Sequence, residues 1–212
     1  MNEYRLFYQR HLPHWQPPGA TIFCTFRLAG SLPRALIEEL QAADRQREAA
    51  LSDIENETER RRQADLESRR AFGRWDTALD RAQSGHRWLA VADVANVVAE
   101  AIHYRNGLVY DLVAFCIMPN HVHLVCTPLP RQDGTYQPLH RILQSLKRHT
   151  ARRANRILGR QGPFWQAENY DHVVRDEGEL VRIVEYVINN PVKAGLIADG
   201  LSWPWMYVAD CL

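Results

Sequence analysis

Apolar, β-branched residues gather in short runs along this chain, and between them the spacing changes to that of helices. The run TIFCTFRL (Thr21 to Leu28), closed by Gly30, predicts a strand. In WLAVADVANVVAEAIHYRNG the residues Val91, Val94, Ala95, Val98, Ala101 and Ile102 recur at helical spacing, and Asn106-Gly107 supplies a stop. LVYDLVAFCIM and HVHLVCT, parted by the turn-forming Pro119-Asn120, predict an antiparallel hairpin. LHRILQSLKRHTARRANRIL is helical by Ile142, Leu146 and Ile157. GPFWQAENYDHVVR offers a short strand around Tyr170 to Val174, and EGELVRIVEYVINN a last helix stopped by Pro191.

The first six of these elements run strand, helix, strand, strand, helix, strand. That order predicts an α+β fold of ferredoxin-like or RRM-like plan, an antiparallel sheet with helices on one face and the other face free for a ligand. One stretch falls outside the plan. From Arg34 to Arg70 there are ten acidic and eight basic residues with no Gly or Pro, which predicts a long charged helix or helix pair. Its mixed signs suit a solvated insertion, and its sparse apolar positions suit a coiled-coil partner surface less well.

Composition narrows the classes. The chain has 212 residues, 46% hydrophobic and 24% charged, ordinary for one globular domain with an added extension. No segment resembles a signal peptide or a membrane span, so the expected address is the cytoplasm. Cys24, Cys116 and Cys126 lie in apolar strands without the close spacing of a zinc knuckle or redox motif. The net charge of +1 would not suggest nucleic acid, but its distribution does. Seven basic residues and no acidic one lie between Arg141 and Arg160, and Arg148, Arg152, Arg156 and Arg160 recur every fourth residue. Such a stripe suits a phosphate backbone, because a merely solvated face normally mixes signs.

His121 and His123 sit in a strand and emerge on one face, which makes a two-pronged metal ligand; two separately satisfied histidines are the simpler alternative. In the last helix Leu180, Ile183, Val184, Val187 and Ile188 form the apolar stripe. Tyr186 lies away from it, beside Glu179, Arg182 and Asn190, so it is either a surface tyrosine or a nucleophile able to attack phosphorus. Asn190, one turn on, could offer its carboxamide oxygen to a metal held by the two histidines.

AFCIMPNHVHLV, then GPFWQAENYDHVVRD, then VEYVINNPVKAGLI resemble in order the signatures of the REP-associated tyrosine transposases, relatives of the single-tyrosine insertion-sequence transposases among the HUH endonucleases. The likeness covers about Leu89 to Met206 plus the strand at Thr21 to Leu28. It implies a single HUH domain over residues 1–212, with a helical insertion at about 34–80 that has no counterpart in the compact family form. It implies His121, His123 and Asn190 as ligands of Mg²⁺ or Mn²⁺, and Tyr186 as the catalytic residue. It further implies cleavage of single-stranded DNA beside the hairpins of palindromic repeats through a 5′-phosphotyrosine. Arg148, Arg152, Arg156 and Arg160 would grip the DNA backbone, with Tyr4, Arg5 and Trp15 as candidates for base contacts. A homodimer is compatible with this reading, and no membrane is involved.

Two rivals remain at this point. One is a non-catalytic RRM-like nucleic-acid-binding module whose histidines and tyrosine are stacking or structural groups, with no metal. The other is a metal-dependent hydrolase of small molecules, with His172 as a further ligand. Tyr170, on the strand face of His172, competes with Tyr186 as the nucleophile.

Overall fold

A computed structural model describes residues 7–9, 13–15, 17–82, 84–198 and 202–210; Tyr4 and Arg5 lie outside them, and the Trp15 side chain is not described. The chain divides into two compact units. One comprises Met1–Ala29 with Arg87–Leu212, the other Gly30–His86.

The first unit holds a five-stranded antiparallel sheet. Its strands are β3 (Ile22–Leu28), β4 (Tyr110–Ile117), β5 (His121–Pro128), β6 (Trp165–Val173) and β7 (Met206–Val208), in the order β6-β3-β5-β4-β7. Earlier in the chain β1 (Phe7–Gln9) and β2 (Pro13–Trp15) pair as a separate ribbon. The helices of this unit are α3 (Ala92–His103), α4 (Leu139–Ile157) and α5 (Glu177–Lys193). Without β7 the sheet has the ferredoxin-like order, and the fold is α+β as expected. β5 is the middle strand.

Side-chain alternation separates the two faces of the sheet. Ile22, Cys24, Phe26 and Leu28 of β3 join Val122, Leu124 and Cys126 of β5 in one core with Val94, Val98 and Ile102 of α3 and Ile142, Leu143 and Leu146 of α4. The opposite face carries Phe23, Thr25 and Arg27, and on β5 His121 and His123, with Thr25 directly across from His123 and Arg27 across from His121. This face is not left bare, because the Tyr186 ring of α5 meets both Phe23 and His123.

Three sequence expectations need correction. β6 starts at Trp165, five residues ahead of Tyr170, because its polar positions lie at one end of the sheet order, where a strand needs no continuous apolar run. α5 does not stop before Pro191 but runs to Lys193 with the proline inside. Pro191 forfeits one bond to the preceding turn, yet Ala194 N–H reaches the Asn190 carbonyl at 2.9 Å and Leu196 N–H the Pro191 carbonyl at 2.9 Å, so the last turn closes. Finally, α4 ends at Ile157 and Gly159 takes φ +60°, a left-handed stop that carries Arg160 off the helix.

The second unit contains α1 (Arg34–Ser52) and α2 (Glu57–Asp80), where the charge pattern predicts a long helix or a pair. Asn56 caps α2 by accepting the Glu59 N–H at 3.0 Å. Asp44 ties the pair together, accepting Trp75 Nε1–H at 3.0 Å and Arg47 Nη1 at 2.9 Å. The unit's ends meet, with His86 N–H donating to the Gly30 carbonyl at 3.1 Å.

Candidate active site

The two histidines are fully buried, each 0% exposed, and their Nε2 atoms face each other at 3.0 Å. Their other ring nitrogens are engaged. His121 Nδ1 lies 2.7 Å from Asn120 Oδ1, and His123 Nδ1 lies 2.8 Å from Thr25 Oγ1. With Nδ1–H donated to these oxygens, both Nε2 lone pairs turn toward the same point, and each ring is held in orientation by its oxygen partner. Thr25 and Asn120 were not singled out in the sequence, where one reads as a strand former and the other as a turn former.

Asn190 is also 0% exposed, and neither Oδ1 nor Nδ2 has a hydrogen-bond partner among the described residues. An orphaned carboxamide is costly, and a cation taking its oxygen would remove the part of the cost that the oxygen carries. It projects from α5 one turn beyond Tyr186, whose ring lies edge-on to His123 at 5.5 Å between centroids and to Phe23 at 6.1 Å. Two imidazoles and a carboxamide oxygen form a donor set suited to a borderline or hard divalent ion. The chemistry of these donors suits such an ion. Asn190→Leu is expected to raise metal-free stability by about 1–3 kcal/mol, since two unsatisfied polar atoms are replaced by a side chain of similar size. The urea midpoint of metal-free protein checks this, and a lower midpoint than wild type would show that the carboxamide is satisfied.

The surrounding chemistry is selective. Tyr186 is half-buried, whereas Tyr170 lies across β3 from His123, two strand spacings or about 10 Å away, and its ring meets Phe23. His172 Nε2 is held 3.1 Å from Glu179 Oε1. Glu179 also accepts the Arg175 N–H through Oε2, while its own N–H donates to the Asp176 carboxylate at 2.7 Å, so this group anchors the start of α5. The Tyr110 hydroxyl donates to the Ile102 carbonyl at 2.8 Å, and burial pushes its pKa up. Burial also pushes the Cys24 thiol well up and that of Cys126 up to about 12, so neither offers a thiolate at neutral pH. Burial pulls the Arg27 guanidinium down to about 10, which leaves it a cation across from His121.

The basic helix lies on the far side of the sheet. Leu139, Ile142, Leu143, Leu146 and Ala154 are buried toward the sheet, while Arg148, Arg152 and Arg156 are exposed on the outward side of α4. Arg160, expected to extend the stripe, does not. It stacks its guanidinium 3.9 Å from the Trp88 ring, donates to the Pro163 carbonyl and is bonded to Asn155, so it staples the loop after α4. The outward face is strongly positive. Partial desolvation and then the charges of Arg105, Arg153 and Arg152 hold the His149 imidazole below its usual range.

Comparison with known proteins fits this geometry. Residues 89–190, which include His121, His123, Tyr186 and Asn190, match the family described as "Transposase IS200 like". This segment is similar to the IS200-like transposases. The chain is 30% identical over 105 residues to a putative REP-associated tyrosine transposase of Haemophilus influenzae, covering 45% of this chain and 57% of that protein. It is 25% identical over 104 residues to the REP-associated tyrosine transposase of Escherichia coli, covering 49% of this chain and 58% of the relative. The chain thus spans little more than half the length of these curated relatives. A solved REP-associated tyrosine transposase bound to a REP hairpin aligns with a TM-score of 0.48 and 18% identity, over 97% of this chain and 82% of that one.

Proposed function

We propose that the protein is a metal-dependent single-stranded DNA endonuclease and strand transferase that cuts beside DNA hairpins through a covalent 5′-phosphotyrosine. The observation that carries this reading is the Tyr186 ring lying 5.5 Å from one member of a fully buried histidine pair. Imidazoles with no exposed surface cannot stack on bases, which argues against the RRM-like alternative. His172, engaged by Glu179, argues against the small-molecule hydrolase.

His121 Nε2, His123 Nε2 and the Asn190 carboxamide oxygen would hold Mg²⁺ or Mn²⁺, which when bound polarises the scissile phosphate. Thr25 and Asn120 hold the imidazoles through Nδ1, with both Nε2 atoms turned toward one point. Tyr186, between the buried pair and solvent, presents its hydroxyl to phosphorus; the Oη–P bond forms as the P–O3′ bond breaks, and the energy of the broken diester is retained in the new one. The phenolic proton goes to solvent and the 3′ oxygen takes one from it. The reaction runs backward when a 3′-hydroxyl attacks the phosphotyrosine, which makes the enzyme a strand transferase. Imidazole ligands favour Mn²⁺ over Mg²⁺ in affinity. We place the enzyme in the cytoplasm with its DNA; no helix among the described residues is long and apolar enough to cross a membrane.

Because the sheet lies between them and Tyr186, Arg148, Arg152 and Arg156 grip DNA away from the scissile phosphate. Replacing Arg152 and Arg156 with Ala is expected to weaken binding to all hairpins alike and to reduce the log–log salt slope by about 0.7 per lost contact. An unchanged slope in salt-titrated binding curves would remove the arginines from the interface. The function itself is tested by incubating the protein with labelled single-stranded hairpins from the flanks of its own gene plus Mn²⁺, followed by a denaturing gel. A metal-dependent covalent adduct is expected, and binding without one would leave only a DNA-binding module.

A further inference from the structure

α5 carries a charged group against its tyrosine. Lys193 Nζ lies 5.2 Å from the centroid of the Tyr186 ring. The two residues are seven apart, about 20° short of two full turns, so they occupy one side of the helix about 10 Å apart along its axis. Helical side chains lean toward the N-terminus, and the lysine stem follows that lean back over the ring. Burial falls off in order, since the histidines are fully buried, Tyr186 is half-buried and Lys193 is exposed. A phosphate approaching the tyrosine hydroxyl from solvent therefore meets the lysine before it meets the histidines.

A lysine in the last turn of a helix also complements the helix dipole, and that role needs no substrate. It does not require the ammonium to fold back over one ring, however. A strongly hydrated point charge at the mouth of a site is suited to a phosphate oxygen, and its stem is long enough to follow the phosphate as it moves from one oxygen to another.

We propose that Lys193 is a phosphate-binding residue of this site, its ammonium set against a non-bridging oxygen of the phosphate that Tyr186 attacks. The inference rests on the reading of Tyr186 as nucleophile. Lys193 keeps its proton throughout; it offsets negative charge that grows on the phosphoryl oxygens as the Oη–P bond forms and the P–O3′ bond breaks.

The test is a cycle between protein and substrate. Single-turnover adduct rates are compared for wild type, Lys193→Gln and Lys193→Arg, on DNA with an ordinary diester or a neutral methylphosphonate at the scissile position. Lys193→Gln is expected to slow the diester reaction by about 100-fold while weakening hairpin binding only a few-fold, and Lys193→Arg to recover most of the rate. On the methylphosphonate the deficit is expected to shrink to less than about 3-fold, because the charge that the lysine meets is gone. An equal deficit on both substrates, or none on the diester, overturns the proposal. If the neutral linkage reacts too slowly to measure, the cycle is read in binding. Neutralising the scissile phosphate should then weaken Tyr186→Phe but leave Tyr186→Phe/Lys193→Gln unaffected, and equal weakening overturns the proposal. A wild-type protein that forms no adduct, or forms it on another residue, overturns instead the nucleophile reading beneath it.

Discussion

Tyr186→Phe is expected to bring covalent protein–DNA adduct formation below detection while hairpin affinity and thermal stability stay at their wild-type values. The substitution removes a single oxygen. The edge contacts of the ring with His123 at 5.5 Å and Phe23 at 6.1 Å remain, so the packing of α5 on the sheet is preserved. Two other tyrosines are poorly placed. Tyr110 commits its buried hydroxyl to the Ile102 carbonyl, and Tyr170 stands two strand spacings from His123. Tyr170→Phe is accordingly expected to keep the adduct. Mass spectrometry of nuclease-digested complex reads the result directly, since the residual nucleotide marks the peptide that carried it. A nucleotide on a peptide with Tyr170 and without Tyr186 would move the reaction onto the sheet.

The second large effect belongs to the histidines. His121→Ala or His123→Ala is expected to abolish cleavage and Mn²⁺ binding together, with DNA affinity retained because phosphate contacts elsewhere supply most of it. The consequence is visible without DNA. An ion that binds only the folded protein stabilises it by about 2.7 kcal/mol at a hundred times its dissociation constant, so Mn²⁺ should raise the wild-type melting temperature and leave the variants unmoved. His123→Ala should also cost more metal-free stability than a surface change, since it strands Thr25 Oγ1 and leaves a cavity in the interior. A variant that still gains stability from Mn²⁺ would place the ion elsewhere.

Much of this candidate site is legible in the sequence because its parts are local. A period of two puts His121 and His123 on one face of β5, and a period of 3.6 puts Tyr186 and Asn190 on one side of α5. What joins the two elements is not local. Thr25 reaches His123 only through the β3–β5 register, across a separation of 98 residues, and no spacing rule announces such a pair. The arginine stripe shows the opposite failure. Its four-residue recurrence continues to Arg160, but Gly159 ends the geometry that would have given the recurrence meaning. Pro191 misled in a similar way, because a proline near a helix end costs only the one bond it cannot donate. The side of the sheet that each helix takes depends on which strand face is apolar. For α4 that assignment separates the basic residues from the tyrosine they were expected to serve.

The middle position of β5 sets the two halves of the site on different clocks. A central strand, bonded on both sides by β3 and β4, exchanges its amide hydrogens only when the whole sheet opens. α5 has no residue in the main core cluster, and the Val187 carbonyl loses its helical partner at Pro191, so this helix can open at far lower cost. Amides of β5 are therefore expected to exchange at the global unfolding limit and those of α5 several orders of magnitude faster, and equal protection in both would show that they move as one body. A stationary pair of imidazoles and a detachable tyrosine suit a reaction in which a bound 5′ end must be carried away from where it was cut and presented to a different 3′ end.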